Sequence, residues 1–478
     1  MTTLSVDSVV ACVRADHPGQ RVAAIFDFEG TLIATRPTVP GESGHAVDEQ
    51  SFAERFEQSI RLWIGRTEDE LREEAEQLFV DGAAAGLIYG CWRLVRAHQN
   101  QGHMVVLVTS GTRMEAEPFA RELGIDHVLY TAMATEGGVV TGQVAGRPLW
   151  GDGKLAAVSQ FATRNNIDLR QCHAYANGDE DIALLDAVGS PHPVNPEAAL
   201  RAHADRSGWS SLEIATQPAR RGPAPALRTA AMFGSLLAAA GVGAVVGVAT
   251  RDHRRGVDLA TTLFGRAAGP LGAIKFDVTG GEHSQSHRPA VFFVNHQSGL
   301  IDMLVASRVV RRGFTVVAKA EIRKVPVVGR MFDLAGVAFV NRSDTSAAIS
   351  ALQPALDKLR DGVSIAIAPE GTRSLTPTIG PFKKGGFHLA RDAQVPIVPI
   401  VIRNAGEIMW RNSMIAQAGT IEVAVHQPLP TDGWSRNDIN TWLPQVRQLY
   451  VDTLDDWPGV EAGRQWSLAI AAATSRGT

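Results

Sequence analysis

Short apolar runs that end in polar residues recur through the first 200 residues of the chain. Residues 22–26 lead into Asp27, residues 104–108 into Thr109, and residues 173–176 into Asn177. A charged, helix-favouring stretch at about 52–77 separates the first two runs. Strands that alternate with helices predict a mainly parallel α/β sheet. Polar residues just past the strands mark the edge where such sheets build their sites.

A second α/β pattern begins near residue 289 and continues towards the C-terminus. The predicted strands are 290–294, 315–318, 337–340, 364–368, 395–402 and 420–425, and the last 45 or so residues favour helix. No repeat of fixed period interrupts either half. The chain therefore predicts two α/β units with a connector between them.

The connector contains the longest uncharged stretch of the chain. After a Pro/Arg-rich segment at 217–227, residues 229–249 carry no charge and are long enough to span a bilayer. They are rich in Ala and Gly, which weakens insertion, and Gly243 and Gly247 form a small-xxx-small pair. A second, partly apolar stretch follows at 257–276. We favour an interfacial helix or a hairpin that enters and returns, with a single span and a buried soluble helix as alternatives.

Composition and charge narrow the function classes. The length of 478 residues suggests about three domain-sized units, or two and a connector. The composition, 45% hydrophobic and 20% charged, is that of an ordinary globular protein. Three cysteines are too few for a disulfide framework and fit a reducing compartment. The N-terminal 20 residues lack the long apolar run of a secretory signal.

The net charge of −4 argues against nucleic acid as a partner. Residues 251–342, however, hold 14 Lys and Arg against 7 Asp and Glu. This local excess fits either an anionic partner, such as a phosphate, an anionic lipid or a coenzyme, or a solvated basic face.

The polar residues of the first half suit phosphoryl chemistry. Asp27, in the segment Phe-Asp-Phe-Glu-Gly-Thr, can accept a phosphoryl group if Mg²⁺ screens its charge. Thr109 can hydrogen-bond the phosphate and Lys154 can neutralise it. Asn177 and Asp181 can complete an oxygen-only metal site.

In order and spacing, residues 20–215 resemble the haloacid-dehalogenase-like phosphatases, in their phosphoserine-phosphatase-like branch. The resemblance implies a Rossmann-like domain with a helical cap at about 34–100. It also implies a metal site of Asp27, Glu29, Asn177 and Asp181, with Glu29 as the general acid/base. Glu29 and Asn177 both stand where that family usually has Asp. An active Mg²⁺-dependent phosphomonoesterase and a non-catalytic phosphate-binding or regulatory module both remain open.

The second half carries a histidine and a carboxylate that suit proton abstraction from an alcohol. His296 follows a predicted strand, and Asp302 comes six residues later. A glycine turn at 370–373, Glu-Gly-Thr-Arg, follows a later strand and suits a phosphate clamp. Lys319 and Arg342 follow intervening strands and add positive charge.

These blocks resemble the glycerolipid acyltransferases, in particular the lysophosphatidic-acid acyltransferases, over residues 285–425. The resemblance implies His296 as general base, with Asp302 orienting it. It also implies substrate contacts from Lys319, Arg342, Glu370, Gly371, Thr372 and Arg373. That family has four residues between the His and the Asp, whereas this chain has five. On a regular helix one residue rotates a side chain by about 100°, so we expect Gly299 to absorb the insertion and Ser298 to cap the helix.

The expected architecture is thus α/β throughout. It has a Rossmann-like parallel-sheet domain with a helical cap (1–215), a membrane-associated helical connector (216–284) and an α/β acyltransferase domain (285–478). The resemblances imply acyl transfer from acyl-CoA or acyl-carrier protein to a lysophospholipid at the cytoplasmic face of a membrane. They imply Mg²⁺ for the first domain and no cofactor for the second.

Overall fold

We describe the protein from a computed structural model. The structure describes residues 3–34, 48–214, 223–324, 328–334, 336–340 and 352–474. The chain divides into two compact units, Met1–Ala219 and Arg220–Thr478.

Unit 1 is built around a parallel sheet. Its strands are β1 (Thr3–Leu4), β2 (Ala23–Asp27), β3 (Met104–Val108), β4 (His127–Leu129), β5 (Met133–Glu136), β6 (Val139–Val144), β7 (His173–Ala176), β8 (Ser190–Pro193) and β9 (Ser211–Leu212). Its helices are α1 (Val6–Ala15), α2 (Glu49–Ile60), α3 (Glu68–Asp81), α4 (Tyr89–Asn100), α5 (Arg113–Leu123), α6 (Asp152–Arg164), α7 (Ile182–Ala187) and α8 (Ala198–Ser207). The five-stranded sheet has the order β4-β3-β2-β7-β8, with every neighbouring pair parallel.

The middle of this sheet is buried on both faces, as its composition predicts. β2 and β7 are buried at every position, which is the pattern of a strand covered by helices on both sides. β8 contains two prolines and lies at the edge of the sheet, where a missing N–H does not break a ladder. The predicted parallel sheet is therefore confirmed.

The helical insert after β2 differs in extent from the expected cap. α2 and the short 3₁₀ turn Arg61–Trp63 pack against the antiparallel hairpin β5–β6. α4, by contrast, packs against α1 and β3 and so belongs with the sheet. The expected cap boundary near residue 100 is therefore too late, and the β5–β6 hairpin was not foreseen.

Unit 2 contains the long apolar helix and a larger sheet. Its strands are β10 (Ile274–Thr279), β11 (Val291–Val294), β12 (Phe314–Lys319), β13 (Ala338–Val340), β14 (Ser364–Ile367), β15 (Ile397–Ile402) and β16 (Gly419–Val425). Its helices are α9 (Pro223–Ala249), α10 (His253–Gly272), α11 (His283–Ser286), α12 (Gly299–Val309), α13 (Val328–Leu334), α14 (Gln353–Arg360), α15 (Gly385–Ala393), α16 (Ala405–Ile408), α17 (Arg436–Asp455) and α18 (Val460–Thr474).

The seven strands of unit 2 form one sheet of order β10-β16-β15-β11-β14-β12-β13. All neighbours are parallel except β15 and β16, which pair antiparallel. β11 lies at the centre and is fully buried. β10 falls within the segment 216–284 that we expected to be a connector, so the sheet begins before residue 285.

The two helices of the connector form a hairpin, turning at residues 250–252. A Cβ on Gly243 would overlap the carbonyl oxygen of Gly256, so the helices cross at backbone contact there. α9 is long and apolar enough to cross a membrane, and most of it is not covered by protein. Its exposed face includes Val245 and Val248. The hairpin shape agrees with our favoured interpretation; membrane insertion stays a prediction.

Candidate active sites

The polar residues of unit 1 converge at the carboxyl edge of its sheet. Asp27 ends β2, Thr109 follows β3, and Asn177 follows β7. Lys154 lies in the first turn of α6, and Asp181 ends the 3₁₀ turn that leads into α7. The parallel register aligns Asp27 with Val108, which brings the strand ends together.

A buried ion-pair triad forms the centre of this site. Lys154 Nζ lies 2.9 Å from Asp27 Oδ1 and 2.6 Å from Asp181 Oδ1. The three side chains are at most 4% exposed. Burial opposes the charge on Lys154, but the carboxylates of Asp181 and Asp27 hold its pKa well above the usual value. The lysine therefore presents a fixed positive charge beside Asp27.

Glu29 lies on the other side of Asp27 and is held by Thr109. The Thr109 hydroxyl donates to Glu29 Oε1 at 2.8 Å, and Gly111 N donates to Thr109 Oγ1 at 2.8 Å. Burial, together with the charge of Asp27, raises the pKa of Glu29 to about 8. Thr109, which we expected to hydrogen-bond a phosphate, thus donates a hydrogen bond from its hydroxyl to Glu29 in this structure.

Asn177 packs where only a glycine leaves room. With its amide nitrogen turned inward it donates to the main-chain oxygen of Glu29 at 2.8 Å and to Asp27 Oδ2 at 3.2 Å. Gly30 has φ +79°, and a Cβ there would overlap the Asn177 amide. Asn177 therefore lies beside Asp27 as expected, and it presents an amide N–H to the Asp27 carboxylate.

The side chains of the acidic run at 179–181 point in different directions. Asp179 accepts from Leu200 N at 2.7 Å at the start of α8. Glu180 was missed: burial raises its pKa to about 7, and the charge of Asp27 adds to the rise. Asp179 and Glu180 are consecutive residues of one 3₁₀ turn, and the turn points their side chains in different directions. The sequence alone therefore does not show that Glu180 enters the site.

The donors at this edge suit a hard divalent cation. Three carboxylates, from Asp27, Asp181 and Glu180, interact with the ammonium of Lys154, and the carboxyl of Glu29 lies beside Asp27. Oδ2 of Asp181 is buried and has no hydrogen-bond partner among the described residues. Excess carboxylate charge and an unpaired buried oxygen are what Mg²⁺ ligation would relieve.

In unit 2, His296 and Asp302 form a hydrogen-bonded pair. His296 Nδ1 lies 2.6 Å from Asp302 Oδ2, and Ser298 N donates to the same oxygen at 2.9 Å. The His296 side chain is 30% exposed and that of Asp302 only 9%. Burial raises the pKa of Asp302, against the opposing effect of the bonds it accepts. Among the described residues, no group is bonded to His296 Nε2, so that nitrogen is available to a substrate.

The extra residue between His296 and Asp302 is accommodated before the helix. α12 begins at Gly299, and Ser298 is its N-cap with extended backbone. The Ser298 side chain makes no capping hydrogen bond, contrary to our expectation. The carboxylate of Asp302 accepts the Ser298 N–H instead.

Glu370, expected to contact substrate, faces inward and joins three segments. It is 3% exposed, accepts from His296 N at 2.9 Å, and accepts from Ser374 Oγ and Gly380 N, both at 2.9 Å. Ser374 N in turn donates to His296 O at 2.7 Å. The carboxylate therefore holds the turn against the histidine rather than facing a ligand.

Gly371, Thr372 and Arg373, the other residues of the 370–373 turn, do not share the inward position of Glu370. Gly371 has φ +76°, which favours glycine, and Thr372 is exposed. The Arg373 guanidinium donates to the carbonyl oxygen of Arg411, and Arg411 Nη1 donates back to Arg373 O at 2.8 Å.

Two expected cationic residues receive no structural account. Lys319 ends β12, but its side chain is not described. Arg342 lies outside the described residues.

Comparison with known proteins matches each unit to a family. The model of acyltransferases matches residues 275–403, and the model of haloacid dehalogenase-like hydrolases matches residues 24–186. An uncharacterized acyltransferase of Schizosaccharomyces pombe is 38% identical over 193 residues, which are 39% of this chain and 69% of that protein.

Two further relatives carry more specific names. The 1-acyl-sn-glycerol-3-phosphate acyltransferase of Saccharomyces cerevisiae is 34% identical over 179 residues, 37% of this chain and 59% of that protein. The chain thus spans about three fifths of this relative. The solved 1-acyl-sn-glycerophosphate acyltransferase of Thermotoga maritima is 24% identical, with a TM-score of 0.42, over 49% of this chain and 97% of that one.

Proposed function

The chain belongs to the acyltransferase family and carries a haloacid dehalogenase-like hydrolase domain before it, and on this premise we propose that unit 2 acylates lysophosphatidic acid. The acyl group comes from acyl-CoA or acyl-carrier protein and goes to the free hydroxyl of the acceptor. The observation that carries the proposal is the 2.6 Å bond between His296 and Asp302, with Nε2 of the ring unpaired among the described residues. The name of the yeast relative supports the choice of acceptor.

The proposed chemistry is direct transfer. His296 Nε2 takes the proton of the acceptor hydroxyl as the oxygen attacks the thioester carbonyl, and Asp302 stabilises the imidazolium that forms. The C–O ester bond forms, the C–S bond breaks, and the imidazolium returns its proton to the leaving thiolate. Glu370 acts as a positioning residue, because its bond to His296 N fixes the loop that carries the ring.

The connector supports placement at a membrane surface. The outer face of α9 exposes Val245 and Val248, whereas α10 carries Arg254, Arg255 and Asp258 and is unsuited to a hydrocarbon core. We therefore place the hairpin at the cytoplasmic interface, with α9 dipping into the lipid. An interfacial site brings a lipid acceptor and a soluble thioester together.

The acyltransferase proposal is tested with lysophosphatidic acid in vesicles and acyl-CoA, by following released thiol and labelled phosphatidic acid. His296→Ala should lose activity by about 10³-fold or more. His287→Ala, which replaces an exposed histidine nearby in sequence, is the matched control. Equal activity in wild type and His296→Ala would remove the proposal.

We further propose that unit 1 is a phosphomonoesterase with Asp27 as the phosphoryl acceptor. Asp27 and Asp181 would hold Mg²⁺, which supplies charge screening of the phosphate when bound. Asn177 would join them by turning its amide oxygen, in place of its nitrogen, towards Asp27. Lys154 holds Asp27 in place and neutralises charge, and Glu29, which the Thr109 hydroxyl holds beside Asp27, donates a proton to the leaving oxygen. The placement of the Glu29 carboxyl beside Asp27 is the observation that favours activity despite the longer side chain.

Hydrolysis of an aryl phosphate with Mg²⁺ tests this second activity. Asp27→Asn should abolish turnover, whereas Asp186→Asn, at a half-exposed carboxylate that pairs with His203, should not. Equal rates in wild type and Asp27→Asn would leave the non-catalytic phosphate-binding or regulatory module as the interpretation of unit 1.

A further inference from the structure

A cluster of histidines lies at the amino edge of the unit 1 sheet, away from the Asp27 site. His98 is in the last turn of α4, His103 immediately precedes β3, and His173 is the first residue of β7. All three are buried, at 0%, 5% and 6% exposed. Neither proposed reaction uses them.

The inward-facing nitrogens of these rings are close together. His98 Nδ1 lies 2.8 Å from His103 Nδ1, and one ligand nitrogen from each of the three histidines lies within 4.8 Å of the others. His173 Nε2 lies 2.8 Å from Asp16 Oδ2, which adds a carboxylate from the end of α1. Three imidazole nitrogens of the kind that bind zinc therefore meet within 4.8 Å, and the Asp16 carboxylate lies against one of the three rings.

Each ring also has a partner on its far side. His98 Nε2 lies 2.9 Å from the Tyr175 hydroxyl, and His103 Nε2 lies 3.0 Å from the carbonyl oxygen of His17. His173 Nδ1 lies 3.2 Å from His192 Nε2. Outer hydrogen bonds of this kind orient the histidine ligands of metal sites and set their tautomers.

A metal-free relay can satisfy the same geometry. The carbonyl oxygen of His17 only accepts, so His103 Nε2 carries a proton, and a neutral His103 then accepts at Nδ1. His98 must donate from Nδ1 and accept at Nε2 from Tyr175. The Nδ1–Nδ1 contact thus holds one proton, which has to move to another nitrogen before a metal ion can bind both Nδ1 atoms.

We propose that Asp16, His98, His103 and His173 form a tetrahedral site for a transition metal ion of the zinc type. The ligand atoms are Nδ1 of His98, Nδ1 of His103, Nε2 of His173 and Oδ2 of Asp16. Zinc–nitrogen bonds of about 2.0–2.1 Å place neighbouring ligand atoms about 3.3 Å apart. The 2.8 Å contacts therefore open by about half an ångström, whereas the wider pairs among the three histidines, at up to 4.8 Å, close, and Asp16 moves in with His173.

The protons redistribute without a change in their number. His98 moves its proton from Nδ1 to Nε2, facing the Tyr175 oxygen, and His103 keeps its proton on Nε2. His173 moves its proton from Nε2 to Nδ1, facing His192, and His192 moves its own to Nδ1. The side chain of Asp16 is 31% exposed and gives the ion a route from solvent.

Four protein ligands leave no open position, so the role is structural. The ion would join the ends of α1 and α4 to the starts of β3 and β7. His103 is already held near His98 by a main-chain bond from His103 N to His98 O of 3.0 Å. The ion would therefore stabilise unit 1 without taking part in either reaction.

The test uses the untagged full chain after treatment with a chelator. Titration with Co²⁺ should give the visible absorption of a tetrahedral site and saturate at one equivalent, and Zn²⁺ should displace it. Zn²⁺ should also raise Tm by about 5 °C or more at a free concentration about 100 times the dissociation constant. Excess Mg²⁺ is present throughout to occupy the carboxylates near Asp27.

Variants locate the ion. His98→Gln and His103→Gln should each lose the bound equivalent and the Tm rise, whereas His203→Gln and Asp27→Asn should keep both. If the cluster variants do not fold, the wild-type Co²⁺ titration decides alone. Absence of a tetrahedral spectrum, or an unchanged spectrum in folded His103→Gln, overturns the proposal in favour of the hydrogen-bond relay.

Discussion

Replacing Asp302 with asparagine tests the negative charge of the carboxylate separately from the hydrogen bonds that it accepts. Oδ2 of Asp302 accepts from both His296 Nδ1 and Ser298 N. The Ser298 N–H can only donate, so the amide oxygen of the introduced asparagine must occupy the Oδ2 position. The imidazole then keeps its tautomer. The Asp302→Asn variant loses the negative charge and places its amide nitrogen at the buried Oδ1 position, which has no hydrogen-bond partner among the described residues.

The size of the loss follows from Coulomb attraction in the transition state. Imidazolium and carboxylate about 4 Å apart attract by about 4 kcal/mol at an effective dielectric constant of about 20. The His296 side chain is 30% exposed, and solvent screening reduces the attraction to about 2–3 kcal/mol. This corresponds to a fall in kcat of about 30–150-fold.

The assay is thiol release from acyl-CoA with vesicle-bound acceptor, at saturating levels of both substrates. Asp357→Asn, at a carboxylate that is 60% exposed, is the matched control and should keep full activity. A fall below about threefold would show that the charge of Asp302 does not act in the transition state. A fall as large as that of His296→Ala would show that the tautomer had reversed, which would refute the orienting role of Ser298 N.

Three further predictions concern other parts of unit 2. Glu370→Gln puts an amide N–H against main-chain donors, so we expect a loss of about 1–3 kcal/mol in urea unfolding and a fall in kcat; unchanged values would contradict the positioning role. Burial lowers the pKa of His426 to about 4. In the unfolded chain this histidine has its ordinary pKa near 6.5, so as pH falls it binds a proton before the folded protein does. The free energy of unfolding is therefore fully present above pH 6.5 and decreases as pH falls to about 4. His426→Gln should flatten that slope. Val245→Asp with Val248→Asp should reduce co-sedimentation with anionic vesicles by about tenfold, and Val460→Asp, at an exposed valine of α18, should not.

The sequence predicted best where strands are buried on both faces. β3 and β7 lie at the residues expected, because continuous apolar runs ending in polar residues have few other interpretations. β8 and β10 were missed. β8 contains two prolines, and β10 alternates apolar with charged or polar residues directly after an apolar helix. Both are edge strands, whose pairing depends on neighbours distant in sequence.

The site residues, like the strands, were predicted only in part. Asp27 and Asp181 were grouped because both follow predicted strands, whose ends the parallel register brings together, and Lys154 because its charge can neutralise a phosphate; the structure brings the three together. The role of Glu370 did not follow, because a turn motif does not reveal which of its side chains faces inward. That orientation depends on Gly380, whose N–H reaches the carboxylate from ten residues away.

The His296–Asp302 pair shows why the sequence spacing was a poor guide to geometry. Helical periodicity relates two residues only when both are in the helix, and His296 lies in the loop before α12. The loop is held from outside: Asn295 Nδ2 donates to Ile402 O at 2.8 Å, Asn295 Oδ1 accepts from Ile402 N at 2.7 Å, and His296 N donates to Glu370. These bonds join the end of β11 to β15 and to the turn after β14. The position of the imidazole is therefore set by two neighbouring strands, and one extra residue changes the loop without separating the ring from its carboxylate.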